Sequence, residues 1–357
     1  MTDTTAGLVC GHHHLYSALA RGMPATPTTP TNFSEILQQV WWRLDAALDL
    51  DMLHWSATLG AVEALMCGTT AIIDHHESPN AIEGSLSVIE DACAAVGVRV
   101  VAAYGVTDRW NDDGTPYHGS WPPPASTLAA QRGLAECERF IRDGGRGMVG
   151  VHAAFTCADD TLEASADLAR QLEVGVHIHV SEDRVDADAG SRLQWLARDD
   201  WLLVHCVHLD RPLPGTIAHN CRSNMNNAVG YARPAARTNP IVLGTDGIGA
   251  DMFAELRLTY ARLREDDVTS TPDTVSSWLE QGYVLVPEAR DDTVRWNYDH
   301  ADSPWHVAFT PGMRALDVTI DGESVLLDGS PTRVDLAEVR AKAAEQAARL
   351  FAAMDDH

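Results

Sequence analysis

Histidine is the residue type that carries the chemistry here; the chain has 16. His12 and His14 flank His13 directly after the apolar run 7–10. Side chains two residues apart on a strand share a face, so His12 and His14 can aim at one point while His13 turns away. His177 and His179 repeat that spacing, with Glu182 just beyond. One of that pair is expected to be a metal ligand and the other to face a helical layer. His205 and Asp246, the latter within GTDG at 244–247, close two further apolar runs. Singly, each fits a bland role as a strand-end polar residue, and Glu182 fits a solvated loop carboxylate beside Asp183. Together, imidazoles and a carboxylate at the ends of several runs make a metal-ligand set. Three neutral imidazoles and one carboxylate suit Zn2+ or Fe2+ and leave a position for water. A metal brings the pKa of that water toward ~7, and Glu182 is then placed to take and return protons.

These residues need a scaffold that brings distant strand ends together. Apolar, β-branched runs at 7–10, 69–73, 98–104, 148–152, 175–180, 201–204, 216–219 and 241–244 alternate with amphipathic stretches. That alternation predicts parallel β/α units, and eight of them predict an α/β fold, a (β/α)8 TIM-like barrel. Reactive side chains then belong at the C-terminal ends of the strands. Helices are expected over 33–48, capped by Asn32 with Glu35, and over 52–67, 81–96, 128–143 and 161–173, with Gly68, Gly97 and Gly144 as stops. The connection 209–215 is too short for a helix. Beyond about 285 the pattern changes to short strand-like pieces at 292–296, 305–309, 316–320 and 323–327. Asp321-Gly322 reads as a hairpin turn, and Asp335 with Glu338 opens a terminal helix.

Composition narrows the function classes. A length of 357 residues against about 150 per domain predicts two domains, or one large barrel with an appendage. The formal charge of −25 opposes nucleic acid and anionic membrane as partners. No apolar run reaches roughly 18 residues, so no membrane span is expected, and no secretory leader is read at the N-terminus. Seven cysteines without CxxC spacing predict reduced thiols and a cytoplasmic location. Lys342 is the only lysine and lies in the terminal helix. The carboxylated lysine that commonly bridges two metals in such barrels therefore has no candidate, and the centre is expected to hold one ion.

The set GHHHLYSALARG (11–22), HVSED (179–183), HCVH (205–208), HNCRSNMNNAVG (219–230) and LGTDG (243–247) resembles the amidohydrolase superfamily. The likeness is to its cytosine deaminase, guanine deaminase and triazine hydrolase branch, nearest to SsnA-type aminohydrolases. WWRLD (41–45) and DHHESPNAIEGSL (74–86) support it. The resemblance implies a metal-dependent hydrolase barrel over 7–284, partial β-sandwich strands over 285–332 and a helix over 333–357. It implies His12, His14, His179 and Asp246 as ligands of one divalent ion, Zn2+ foremost and Fe2+ second. Glu182 becomes the proton shuttle, and His205 polarises the attacked group or orients the hydroxide. Asp246 and His205 stabilise the adduct. His152, His219, Asn220 and Asn224 are implied to contact substrate. His75, His76 and His208 are read as packing residues, and Arg21 as reaching either the pocket mouth or a helix partner. The implied reaction is hydrolytic release of ammonia from a small amino-substituted N-heterocycle or amidine, in a soluble enzyme for which monomer and homo-oligomer are both open.

Members of that branch carry more chain before the HxH than the six residues preceding Gly7 here. The strands at 316–327 are accordingly expected to lack partners and to leave an open edge. Two other readings follow. One is a degenerate, non-catalytic metal-binding scaffold, and the other is hydrolytic removal of a different leaving group such as halide. Glu182 favours an amine, which needs a proton to leave.

Overall fold

The computed structural model describes residues 3–355. All eight expected barrel strands form. After the two-residue strand β1 (Thr4–Thr5) come β2 (Leu8–His13), β3 (Thr69–His76), β4 (Arg99–Tyr104), β5 (Val149–Ala153), β6 (Val176–Val180), β7 (Leu202–His205), β8 (Thr216–His219) and β9 (Ile241–Leu243). Strands β2-β3-β4 and β5-β6-β7-β8-β9 form two parallel sheets. Parallel bridges His13–Asp246 on one seam, and Ala102–Gly147 and Val106–Val151 on the other, join them into one barrel.

The period-two pattern of the strands sorts their side chains into two layers. Val9, Ala71, Ile73, Val101, Leu202, Val204, Ala218 and Val242 fill the barrel interior with Val286 and Ala289. Their neighbours Leu8, Cys10, Ile72, Val100, Leu203, Ile217 and Leu243 join the main core with the helices. Helix ends follow local chemistry. Asp49 caps Leu50–Met66 by accepting from the Met52 amide, and Thr127 caps Leu128–Arg142 by accepting from Ala130. The expected helix over 33–48 is capped by Asn32 but is not uniform: Leu37–Trp41 is a π-helical segment between two α-helical ones, the kind of bulge found at functional sites. No helix forms between β7 and β8.

The C-terminal region departs from expectation in two places. Residues 305–309 are helical (Pro304–Phe309), because Ser303 accepts from the His306 amide and proline occupies the first helical position. The strands β11 (Ala315–Ile320) and β12 (Glu323–Leu327) are also not left open. They lie in a five-stranded antiparallel sheet ordered β1-β10-β11-β12-β13, with β10 at Thr293–Trp296 and β13 at Ser330–Pro331. Two-residue strands occupy both edges, which leaves little backbone free to template pairing. Arg99 at the start of β4 ties this sheet to the barrel, reaching Asp292 at 2.5 Å and Asp321 at 2.6 Å. The helix Leu336–Met354 opens at Asp335, whose side chain accepts from Ala337 and Glu338.

Candidate active site

The implied ligands meet at the C-terminal ends of the strands, and their tautomers follow from their partners. His14 Nδ1 lies 2.5 Å from the His75 carbonyl, and His179 Nδ1 lies 2.6 Å from the His152 carbonyl. A carbonyl only accepts, so both Nδ1 atoms carry the proton and both Nε2 atoms present lone pairs. His205 Nδ1 donates to Asn224 Oδ1 at 2.7 Å in the same way. His12 Nδ1 is 2.8 Å from His177 Nε2.

Four Nε2 atoms therefore point inward. His14 and His179 bring theirs to 3.3 Å, too close for two lone pairs without a cation between or beside them. The Nε2 atoms of His12 and His205 have no partner among the described residues and are fully buried. Asp246 Oδ1 lies 3.0 Å from His14 Nε2 and 3.6 Å from His12 Nε2. Ser223 holds its other oxygen at 2.5 Å. His12, His179, His205 and Asp246 each offer a ligand atom within 4.8 Å of the others, and so do His14, His75 and His179. Unpartnered buried nitrogens facing a carboxylate fit a divalent metal ion of the zinc or iron type.

Electrostatics agrees with that fit. Burial holds His12 and His179 well below the usual imidazole pKa, with the neighbouring rings adding to the effect. Both are thus neutral, the form that binds metal. At Asp246, burial alone would raise the pKa, but the adjacent imidazoles, His12 and His14 first and then His205, favour the carboxylate and hold it well below the usual range. At His14 burial opposes protonation, yet the Asp246 carboxylate overrides it and raises the pKa. Asp246 thus draws positive charge to the point where the Nε2 atoms converge. Glu182 behaves oppositely: burial, then the charge of Asp246, pushes its pKa well above the ordinary value. Its Oε2 lies 3.4 Å from His205 Nε2, and Asn227 donates to its Oε1 at 3.3 Å.

Backbone strain marks the same strand ends. Ser181, His205 and Asp246 have φ of 49°, 70° and 54°, a left-handed region that costs a non-glycine residue roughly 1–2 kcal/mol. Gly244 lets β9 approach, since a Cβ there would lie 2.4 Å from Asn220 Oδ1 and 2.8 Å from the His12 amide.

The cleft above these residues encloses about 640 Å³ of empty space, part of it open to solvent. His152 and Glu182 line it, but His219, Asn220 and Asn224 do not. Asn224 sits behind His205 as the acceptor for its Nδ1. His219 and Asn220 are wholly buried, and burial lowers the His219 pKa to about 3. In this structure these three residues are packed within the protein, not on the surface of the cleft. His177 does not turn to the helices, since sharing a face with His179 puts it beneath His12. His13 turns to Thr245 Oγ1 and the Asp246 carbonyl. His76 bonds Ser78 and His208 the Val229 carbonyl, as packing residues do, whereas His75 joins the histidine cluster. Arg21 pairs with Glu63 on Leu50–Met66.

Sequence reasoning assigned no role to Tyr16, Asp45, Glu77, Phe155, Asp186 and Asn227, which also line the cleft. WWRLD and DHHESP had marked Asp45 and Glu77 as part of the motif set without saying why. Both carboxylates grip the buried Arg109 guanidinium, whose signal, a lone arginine in TDRW, was local and weak. Asp186 accepts from the amides of Phe155 at 2.8 Å and Ser181 at 2.7 Å, locking two strand-end loops.

Comparison with known proteins gives a consistent family. The profile of the amidohydrolase family matches residues 4–276. The chain is 25% identical to the 5'-deoxyadenosine deaminase of Methanopyrus kandleri, covering 96% of this chain and 86% of that one. It is 27% identical to the 8-oxoguanine deaminase of Pseudomonas aeruginosa, covering 97% and 87%. An adenosine deaminase of Xanthomonas campestris, solved with bound zinc, superposes with a TM-score of 0.80 at 20% identity, covering 97% and 85%. The zinc complex of an Arthrobacter aurescens atrazine chlorohydrolase gives 0.78 at 18%, covering 96% and 88%. These two structures establish the shared fold.

Proposed function

The chain belongs to the amidohydrolase family, and from that premise we propose that it releases ammonia from a small amino-substituted N-heterocycle or amidine. It is a metal-dependent hydrolase of non-peptide carbon–nitrogen bonds. The observation that carries the reading is the convergence of four imidazole Nε2 atoms on Asp246, each Nδ1 tied outward. The deaminase names of the 25–27% identical relatives support the leaving group.

In this reading His12, His14, His179 and Asp246 hold a single divalent ion, zinc first and iron second. When bound, the ion supplies Lewis acidity that makes a water nucleophilic near neutral pH. Glu182 takes a proton from the attacking water, and its raised pKa lets it keep that proton until the nitrogen leaves. The same carboxyl then protonates the departing amine, so the proton balance closes on one residue. His205, neutral through burial and with Nε2 bare, accepts a hydrogen bond and orients the water; its tautomer favours this over donation to substrate. Asp246 keeps its negative charge beside the developing adduct. His152, with Nδ1 2.6 Å from Thr156 Oγ1, borders the substrate. Tyr16, Phe33, Trp41 and Phe155 provide ring faces for a flat heterocycle. The seven free cysteines fit a cytoplasmic setting, and no helix among the described residues is long and apolar enough to cross a membrane.

The test is elemental analysis of the purified chain with an ammonia-release screen over aminopurines, aminopyrimidines and aminotriazines. About one zinc or iron per chain and ammonia from one of these classes is the expected result. Two ions per chain would overturn the mononuclear assignment. Halide release without ammonia would overturn the aminohydrolase reading, and a folded chain that refuses zinc would overturn catalysis.

A further inference from the structure

A second cavity lies behind the cleft wall, outside the metal-binding cluster. It encloses about 920 Å³ of empty space, part of it open to solvent, and its lining includes Trp42, Arg43, Arg109, Trp110, Tyr117 and Trp121. No Asp or Glu is among its lining residues, in a chain whose formal charge is −25. Four aromatic rings surround it. Trp121 packs 5.6 Å from Trp42 and 5.3 Å from Tyr117, centroid to centroid. The Arg109 guanidinium sits 5.0 Å from the Trp42 ring and 5.9 Å from the Trp110 ring.

The buried, unpartnered polar atoms of this lining are all donors. Trp42 Nε1, Trp110 Nε1 and Arg109 Nη1 are buried N–H donors with no partner among the described residues. Arg109 is held through two of its nitrogens: Nη2 pairs with the cleft carboxylates Asp45 and Glu77, and Nε donates to Thr107. Arg43 donates to the backbone carbonyls of Gln39 and Met354 and forms no ion pair among the described residues. Buried donors without acceptors are costly and uncommon in folded proteins, and here three of them border one cavity beside the Arg43 guanidinium, which no carboxylate among the described residues pairs. What the site lacks is an anionic acceptor carried on a flat apolar body. Ring faces suit such a body by stacking, and arginine suits a carboxylate.

We propose that this cavity is a second ligand site that takes an aromatic carboxylate, its ring among Trp42, Tyr117 and Trp121 and its oxygens toward Arg43 and the unpartnered N–H donors. The site is independent of the deaminase reading, because it shares no residue with the metal cluster and its occupancy is measured without turnover.

The experiment is isothermal titration calorimetry of the metal-loaded full chain with 2-naphthoate. Binding at one site per chain, with Kd below about 1 mM, is expected. Trp121→Ala, which removes a ring, and Arg43→Gln, which removes the guanidinium charge, should each weaken it at least tenfold. Trp110→Phe keeps the ring and loses one donor, and should weaken it severalfold. Glu182→Gln should leave Kd unchanged, which separates this cavity from the catalytic cleft. Circular dichroism of each variant, matching that of the parent, establishes that lost binding is not lost folding. Equal affinity for 2-naphthamide would overturn the carboxylate assignment, and equal affinity for cyclohexanecarboxylate would overturn the role of the rings. No binding at 10 mM naphthoate, or binding lost in Glu182→Gln but kept in Trp121→Ala, would overturn the site itself.

Discussion

Asn224 gives the sharpest test of the geometry, because motif resemblance places it against substrate whereas the structure places it behind His205. Its side chain is buried, 2% exposed, and accepts the His205 Nδ1 proton at 2.7 Å. Asn224→Leu keeps the volume and removes the acceptor. A buried donor left without a partner costs about 1–3 kcal/mol, and the imidazole can escape that cost only by moving its proton to Nε2. Either outcome disturbs the bare Nε2 that faces Glu182 and Asp246. At about 1.4 kcal/mol per factor of ten in rate, the loss is roughly 5- to 150-fold, and it falls on kcat rather than KM. Asn224→Asp restores an acceptor and adds a negative charge, which raises a His205 pKa that burial otherwise lowers. It should recover part of the rate and move the acid limb of the kcat profile to higher pH, a shift that simple loss of packing does not produce. Steady-state ammonia release from pH 5 to 9, with metal content measured on the same samples, decides the matter. A rise in KM of tenfold or more with kcat intact, in either variant, would refute the positioning argument and restore Asn224 to the substrate surface.

Three further outcomes follow from the same structure. Glu182→Gln keeps the shape of the protonated carboxyl but cannot exchange protons, so kcat should fall about 10²- to 10⁴-fold with metal content unchanged; a loss below tenfold would remove Glu182 from proton transfer. Asp74 is buried, its Oδ1 accepts from the Leu15 amide at 2.7 Å and its Oδ2 has no partner among the described residues. Burial raises its pKa from 3.8 to about 7. A group raised on folding contributes stability that is fully present below its unfolded pKa and is lost as pH rises through its folded one. Asp74→Asn should therefore gain in urea midpoint relative to the parent between pH 5 and pH 8, and a difference that is flat across that window would contradict the assignment. Arg99→Ala leaves the buried Asp292 carboxylate unpaired, with its side chain 1% exposed. The expected loss is about 3–5 kcal/mol in chemical denaturation, with kcat of the folded fraction unchanged, since Arg99 lies at the opposite end of the strands from the histidines.

Much of this protein is legible in one dimension. Eight apolar runs and their spacing predict the barrel, because a strand's period of two and the length of its following helix are local properties. The same period aligns His12 with His14 and His177 with His179, and strand ends announce His205 and Asp246. The local signal also misled. The apolar alternation of residues 305–309 reads as a strand, but the Ser303 cap and Pro304 turn it into a helix.

What local pattern cannot carry is convergence. His12 and His177 touch across 165 residues, and only barrel closure decides that one imidazole supports the other rather than facing a helix. The left-handed backbone at Ser181, His205 and Asp246 swings side chains away from the strand's alternating faces, so period-two reasoning fails at the strand ends where the chemistry sits. Residues 219–230 line up as a motif, yet whether Asn224 meets substrate or His205 depends on how deeply the loop after β8 is buried. The chain's own periodicity thus determines which residues reach the rim of the barrel. Closure of the barrel, through contacts between strands far apart in sequence, determines which way each of them points.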